Sequence, residues 1–250
     1  MINIWLYSLI SVILVSLISF AGLLTLSIKI SLLKKILIYM VSFSAGALLG
    51  DAFIHLLPEA IKNTGLTLNI SVYLLIGILL SFILEKIINW RHCHIHPNTK
   101  DHIHPFAIMN LFGDAVHNLI DGLIIGASYL AGFPIGIATT LAVILHEIPQ
   151  EIGDFGVLLQ GGFSKNKALF FNFLTALTAI LGAIISLVLS NYIENLILFL
   201  IPFAAGGFIY IAGSDLIPEL HKELKIKNSL LQFLAIVLGI LIMIALLYLD

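Results

Sequence analysis

Two short polar segments lie inside stretches that are otherwise apolar enough to span a membrane: HNLIDG at 117–122 and HEIPQEIGD at 146–154. An ionisable side chain in hydrocarbon costs a few kcal/mol or more, so it is kept mainly where it faces a bundle interior or water. In each segment the polar residues recur three or four positions apart, which places them on one face of a helix. Two such faces would offer the nitrogen and oxygen ligands that divalent transition metals accept. The segments therefore predict a metal site between two helices.

The candidate ligands of the first segment are His117, Asn118 and Asp121, preceded by Asp114 one turn earlier. Those of the second segment are His146, Glu147, Gln150, Glu151 and Asp154. Pro149 lies among the second set, and a proline frees a backbone carbonyl about one turn earlier. Such a kink is tolerated at membrane depth where it lines a cavity. Interhelical hydrogen bonds alone could explain one such residue, but so many in two helices favour a site.

The composition predicts an all-α, polytopic membrane protein. Of 250 residues, 60% are hydrophobic and 10% charged, against about 25% charged in an ordinary soluble domain. Runs of about 20 apolar residues predict eight transmembrane helices around the intramembrane metal site. The predicted spans are about 3–28, 36–58, 67–89, 105–130, 135–160, 168–190, 195–219 and 229–249. We interpret the first run as a retained span and not as a cleaved signal.

Positive charges predict the orientation. Eleven of the 12 Lys and Arg residues fall on one side of this arrangement, and only Lys62 falls on the other. By the positive-inside rule, the loops after spans one, three, five and seven are cytoplasmic and both termini lie outside. The expected surroundings are the lipid bilayer of a cell membrane. No basic face suggests nucleic acid, the lone Cys93 excludes an internal disulfide, and a homodimer is left open.

Other spans carry fewer polar residues. In the second span Asp51 and His55 are four apart, so they share a helix face. In the seventh span Asp215 and Glu219 bracket Pro218, and we prefer a structural role for both. The third span contains Glu85-Lys86, interpreted as a local ion pair or a snorkelling end without a ligand role. The sixth span offers Asn172, Thr175 and Thr178 but no carboxylate or His.

The predicted cytoplasmic loop 91–104, within the sequence WRHCHIHPNTKDHIH, concentrates metal-binding side chains. Its candidate ligands are His92, Cys93, His94, His96, Asp101, His102 and His104. Composition of this kind is typical of weak metal capture. The spacing is not that of a closed structural zinc site, so we expect labile binding there.

These motifs resemble those of the ZIP (Zrt/Irt-like) metal transporters. HNLIDG resembles the family's fourth-helix HNxxDG, and HEIPQEIGDF resembles its fifth-helix HEIPHEIGDF. DAFIHLLPEA and SDLIPEL in spans two and seven resemble the same family. The resemblance implies uptake of a divalent transition metal, most readily Zn²⁺, into the cytoplasm by a protein that is not an enzyme and has no prosthetic group. Fe²⁺, Mn²⁺ and Cd²⁺ remain alternatives.

The resemblance also implies a paired metal site midway across the membrane. One half would contain His117, Asp121 and His146. The other would contain Asn118 and Glu147, with Glu151 near it. Asp51 and His55 would lie on the side where the ion enters.

One position departs from the family motif, because Gln150 stands where the family has a second His or, in other branches, a Glu. A neutral amide oxygen is a weaker zinc ligand than imidazole, so we expect one tight site and a second, weaker one. The same position bears on the alternative function, an intramembrane zinc hydrolase or protease, because HEIPQ begins like HExxH. Gln150 occupies the place of the required second His, which disfavours that alternative. A metal exporter of another fold, and a channel or receptor with an incidental site, are further alternatives. The coupling ion stays open.

Overall fold

A computed structural model describes residues 2–26, 30–62, 65–89, 105–193, 196–221 and 224–248, and within these ranges the regular structure is helical. We group the helical segments into eight rods, one for each predicted span. They are α1 (Ile2–Leu17, continued by a 3-10 helix Ile18–Leu26), α2 (Ile30–Gly50, a π-helix Asp51–Leu56, then Leu57–Lys62), α3 (Leu68–Asn89), α4 (Pro105–Ala131), α5 (Phe133–Gln160), α6 (Lys165–Ala176 and Thr178–Leu189), α7 (Leu196–Tyr210, a π-helix Ile211–Leu216, then Ile217–Leu220) and α8 (Ile226–Leu246). The all-α prediction is confirmed.

Local sequence explains the ends of α4 and α5. Pro105 begins α4 and Pro134 lies in the first turn of α5, where the missing N–H costs nothing because that donor has no helical partner. Gly162, just beyond α5, adopts a φ of +92°, which a residue with a side chain rarely adopts, and so the helix stops there.

Six of the described rods, α1–α3 and α6–α8, are long and apolar enough to cross a membrane. The candidate spans are Asn3–Leu23, Ile36–Lys62, Leu68–Lys86, Lys165–Leu189, Leu196–Ser214 and Ile226–Leu246. The remaining rods, α4 and α5, have 27 and 28 residues. At ~1.5 Å per residue they are ~40 Å long, enough for a hydrocarbon core of ~30 Å. Their polar segments make them less apolar than the others.

Three helix pairs, α2–α8, α3–α7 and α4–α6, are joined by glycine contacts of the same kind, the last of them at Gly122 and Gly182. A Cβ at Gly46 of α2 or at Gly239 of α8 would overlap a backbone carbonyl of the other helix. The pair α3–α7 has the same relation at Gly77 and Gly206. Small residues let helix backbones approach closely in a membrane, where burial of apolar surface does not drive association.

The first two pairs contain an internal repeat, residues 45–60 in α2 and 205–220 in α7. The identical positions are Ala45/Ala205, Gly46/Gly206, Ala52/Ala212, Leu56/Leu216, Pro58/Pro218 and Glu59/Glu219. In both helices a π-helical turn lies at the same place and ends two residues before the proline. A proline ring clashes with the carbonyl four residues earlier, and the wider π turn is one way to relieve that clash.

Candidate metal centre

Four metal-binding side chains converge between α4 and α5. His117 and Asp121 come from α4, and His146 and Glu147 come from α5; one donor atom of each lies within 4.8 Å of the others. His117 Nε2 is 3.2 Å from His146 Nε2 and 3.4 Å from Glu147 Oε1. His146 Nε2 is 3.1 Å from Asp121 Oδ2. We call these four residues the four-donor cluster.

The spacing of the cluster suits a tetrahedral ion. Zinc–ligand bonds of about 2.0–2.1 Å place the ligand atoms ~3.4 Å apart. Five separations between the donor atoms of the cluster run from 3.1 to 3.7 Å. Two imidazole nitrogens and two carboxylate oxygens form a mixed set that Zn²⁺ and neighbouring divalent metals accept. The side chains could therefore enclose such an ion with little movement.

Burial makes the cluster costly without a cation. The side chains of Asp121, His146 and Glu147 are 1% exposed, and that of His117 is 23% exposed. Among the described residues, Asp121 Oδ2 and both Glu147 carboxylate oxygens find no hydrogen-bond donor of normal geometry. Burying a carboxylate without such partners is unfavourable, so an ion between these oxygens would stabilise the arrangement.

The imidazole of His146 is oriented for binding. Its Nδ1 lies 3.1 Å from the backbone carbonyl of Ala142. A carbonyl only accepts, so Nδ1 donates, and Nε2 keeps a lone pair directed at the cluster. A backbone partner of this kind commonly orients a histidine that binds a metal.

Pro149 has the effect predicted for it. It lacks the N–H that would bond to the carbonyl of Leu145, four residues earlier. That carbonyl instead accepts a hydrogen bond from Ser44 Oγ of α2. The freed acceptor thus fixes α5 to α2 directly beside His146.

The side-chain amide nitrogen of Asn118 bonds within α4. Its Nδ2 donates to Asp114 Oδ1 at 2.8 Å, and the other oxygen of Asp114 accepts from Thr175 Oγ1 of α6. Glu147 belongs to the four-donor cluster, whereas the family resemblance had grouped it with Asn118. The structure shows a four-residue group and a neighbouring hydrogen-bonded network, and the paired metal site stays a prediction.

Glu151 belongs to this neighbouring network. Its Oε2 accepts from Asn172 Nδ2 of α6, and within the described ranges its Oε1 is buried without a donor. Asn172 and Thr175 of the sixth span therefore bond to acidic groups of α5 and α4. That pairing could not be predicted from α6 alone, because helix periodicity shows which residues share a face but not which helix lies opposite.

A cavity of about 210 Å³ lies beside the cluster, between α3, α4, α5 and α7. His117 and Asp121 form part of its wall, together with Gln150 and Asp154. Asp154 Oδ1 accepts a hydrogen bond from Asn110 Nδ2 at 2.9 Å. Gln150 thus borders the same space as two residues of the cluster.

The α2 residues Asp51 and His55 make interhelical hydrogen bonds. Asp51 Oδ2 accepts from Thr139 Oγ1 of α5 at 2.9 Å. His55 Nε2 donates to the backbone carbonyl of Met243 in α8, also at 2.9 Å. Both residues are buried and lie apart from the four-donor cluster.

Sequence reasoning missed two residues of the cavity wall, Glu85 of α3 and Tyr210 of α7. Tyr210 OH donates to Glu85 Oε2. Lys86 Nζ lies 5.8 Å from the centre of the Phe82 ring. The interpretation of Glu85-Lys86 as a local ion pair or a snorkelling end stays a prediction. A carboxylate in an apolar span was the signal available for Glu85.

Three sequence predictions fall outside what the structure describes. The His-rich loop 91–104 lies outside the described residues, as do the side chains of Asp215 and Glu219.

Known proteins resemble this chain over most of its length. The family described as ZIP zinc transporter matches residues 2–106 and 92–247. The zinc transporter zipt-7.1 of Caenorhabditis briggsae is 35% identical over 268 residues, covering 80% of this chain and 68% of that protein. The zinc transporter ZIP13 of Mus musculus is 32% identical, covering 83% of this chain and 69% of that protein. The ZIP13 homologue of Drosophila melanogaster is also 32% identical, with 84% and 77% covered.

Apolar helices that surround a buried cluster of metal-binding side chains are typical of membrane proteins that transport metal ions. The chain belongs to the ZIP zinc transporter family, as its motifs predicted. Membership supports a divalent metal ion as the substrate and is consistent with a transporter that is not an enzyme.

Proposed function

We propose that this protein takes up divalent transition-metal ions, Zn²⁺ first among them, across a cell membrane into the cytoplasm. The observation that carries the proposal is the four-donor cluster, a buried set of two nitrogens and two oxygens at zinc-like spacing. An intramembrane ionisable residue marks an ion pathway more often than a structural contact, and here four meet. Fe²⁺, Mn²⁺ and Cd²⁺ accept similar ligands and are to be tested beside Zn²⁺.

The proposed path crosses the membrane through eight spans, with α4 and α5 included and both termini outside. The charge asymmetry of the loops supports this orientation. In it, the cavity lies toward the cytoplasm, because its wall includes Glu85 near the end of α3 and Asn110 near the start of α4. Asp51 and His55 lie in the opposite half, on the side where the ion would enter.

A second, weaker binding position is proposed beside the cluster. Asn118 Oδ1 and Glu151 Oε1 are buried and, within the described residues, lack hydrogen-bond donors. Amide and carboxylate oxygens bind Zn²⁺ less firmly than imidazole does, so this position would hold an ion during passage. Gln150 would act in the same way. Loose binding suits transport, because the ion must leave as well as enter.

Uptake into proteoliposomes tests the proposal, with Zn²⁺ outside and a fluorescent indicator inside. His117→Ala and Asp121→Asn should lower uptake by about a hundredfold or more, since each removes a ligand whose loss costs ~3 kcal/mol. His221→Ala and Glu59→Gln are matched controls, because these residues lie at rod ends away from the cluster. Normal uptake by correctly folded His117→Ala protein would show that the cluster is not the transport site.

A further inference from the structure

Glu85 is an acidic residue in a helix that otherwise suits lipid. Helix α3 runs from Leu68 to Asn89 and is apolar along most of its length. In its most apolar stretch of 18 residues, only 11% is buried inside the protein. A carboxylate in such a helix is expensive unless it faces water or a polar partner. Glu85 meets both conditions, because it borders the cavity and accepts a hydrogen bond from Tyr210.

Tyr210 holds this carboxylate from the neighbouring helix. It is the last residue before the π-helical turn Ile211–Leu216 of α7, and its OH donates to Glu85 Oε2. The repeat places Gly50 at the equivalent position of α2, where no side chain could make such a bond. The tyrosine is therefore a feature of the α3–α7 pair and not of the sequence repeat that α2 and α7 share.

Glu85 lies on the wall of the cavity that also contains two cluster residues. His117 and Asp121 belong to both the cluster and the wall, so an ion leaving the cluster has a space to enter directly. The acidic and amide groups of that wall, beyond the cluster, are Glu85, Asn110, Asp114, Gln150 and Asp154. Within the described residues, Asp154 Oδ2 has no hydrogen-bond donor. The wall thus presents oxygen donors to a partly hydrated ion.

We propose that Glu85, positioned by Tyr210, is a transit ligand that receives the divalent ion from the four-donor cluster within this cavity. The inference rests on the proposed function. A carboxylate has two oxygens with about four lone-pair sites, so it can accept a hydrogen bond and bind a cation at the same time. Beyond the cluster the wall offers oxygen donors, which bind Zn²⁺ less firmly than a set with two imidazoles, so the step lowers affinity and favours release. It also reverses the sequence-based interpretation that Glu85 has no ligand role.

Zinc uptake and zinc binding should respond differently to Glu85→Gln. The maximal uptake rate should fall about tenfold, the effect of losing one charged contact. Zinc affinity of the detergent-solubilised protein, measured by calorimetry, should stay within about twofold because the cluster is intact. Lys86→Gln is the matched control, since it removes a neighbouring charge on the same helix and should leave both quantities unchanged. Normal uptake by Glu85→Gln protein would overturn the proposal.

Tyr210→Phe tests the positioning role without removing the carboxylate. It should slow uptake by about threefold, as expected for one lost hydrogen bond. In the Glu85→Gln background it should have almost no further effect, because Tyr210 acts through Glu85. Additive losses in the double variant would contradict this. If Glu85→Gln does not fold, Glu85→Asp replaces it and should retain intermediate activity, and full activity of Tyr210→Phe would then overturn the proposal.

Ion preference separates a ligand from a merely structural residue. Mn²⁺ favours oxygen donors more than Zn²⁺ does, so Glu85→Gln should slow Mn²⁺ uptake more than Zn²⁺ uptake. Equal slowing of the two ions would indicate a structural defect and would overturn the ligand role. Failure of the proposed function has a different signature, namely no zinc uptake by the protein with its own residue Glu85 in place.

Discussion

The helix pairs α2–α8 and α3–α7 share a glycine contact and a π-helical turn, but their surroundings differ. At Gly50 of α2 an added Cβ would meet the side chain of Met243, and the same part of the pair contains the hydrogen bond from His55 to the Met243 carbonyl. At the equivalent place in α7, Tyr210 reaches Glu85 beside a cavity of about 210 Å³. Matching segments therefore build a packed region in one pair and border an open space in the other.

This difference indicates how one repeated segment can serve both sides of a membrane. In the proposed orientation, α2 and α7 cross in opposite directions, so their repeated segments place equivalent turns in opposite halves. The half with Asp51 and His55 is closed by interhelical hydrogen bonds. The half with Tyr210 and Glu85 holds the cavity. In that orientation, the space beside the four-donor cluster lies in the cytoplasmic half.

The largest effect is expected from filling the glycine contacts. Gly46→Val and Gly206→Val should each destabilise the protein by about 3 kcal/mol or more, because the new side chain would overlap backbone of the partner helix. The measurement is the yield of monodisperse protein and its thermal midpoint. Gly213→Ala is the control, since no atom lies within 4 Å of its added Cβ. If the protein tolerates one substitution but not the other, the two helix pairs do not depend equally on their glycine contacts.

Removing the Asp51–Thr139 hydrogen bond should weaken the closed half. Thr139→Val leaves a buried carboxylate with one partner fewer, which should cost ~2 kcal/mol of stability. The thermal midpoint measures the loss. Thr140→Val is the control, because the Thr140 hydroxyl bonds to the Gly136 carbonyl of its own helix. An equal midpoint for the two variants would mean that the Asp51 contact does not hold this half together.

Thiol accessibility compares the two halves directly. In a Cys93→Ser background, Ser81→Cys and Met243→Cys place a thiol four residues after Gly77 and Gly239, the contact glycines of α3 and α8. Ser81 lines the cavity, whereas Met243 is 0% exposed. An impermeant maleimide should label the Ser81 position about tenfold faster or more, since thiol reactivity follows access. Similar rates would remove the distinction between a packed and an open half.

The smallest effect is expected at Gln150, on the open side. Gln150→His would restore the family's usual residue and add an imidazole to the cavity wall. The zinc concentration for half-maximal uptake should fall about threefold, less than the tenfold that corresponds to ~1.4 kcal/mol. Gln150→Ala should do modest harm. Unchanged affinity and ion preference in Gln150→His would place this side chain away from the ion.

Helical periodicity was sufficient to predict which side chains share a face. The spacing of His117 and Asp121 placed both on one face of α4, and the structure brings that face together with His146 and Glu147 of α5. Pro149 likewise predicted a freed carbonyl, and Leu145 is that acceptor. These predictions succeeded because each depends on geometry within one helix.

Contacts between distant helices were beyond the reach of periodicity. Thr139 bonds to Asp51 and Tyr210 to Glu85 across long separations in sequence, and nothing local in either member specifies the other. The π-helical turns were also missed, because a proline near a helix end is compatible with a kink, a stop or a wider turn. The repeat of α2 in α7 was the signal that both prolines have the same effect.

The glycine contacts also bear on how such a protein can change over time. They tie together α2 and α8, α3 and α7, and α4 and α6, while all four residues of the cluster lie on α4 and α5. The contacts depend on backbone against backbone at glycine positions, so they impose no demand on which side chains stand at the ligand positions of α4 and α5. Gln150 already departs from the family motif in this chain without disturbing the α5 rod. The preference for one metal ion over another can therefore change during evolution by substitution at a few ligand positions, while the packing of the helix pairs stays the same.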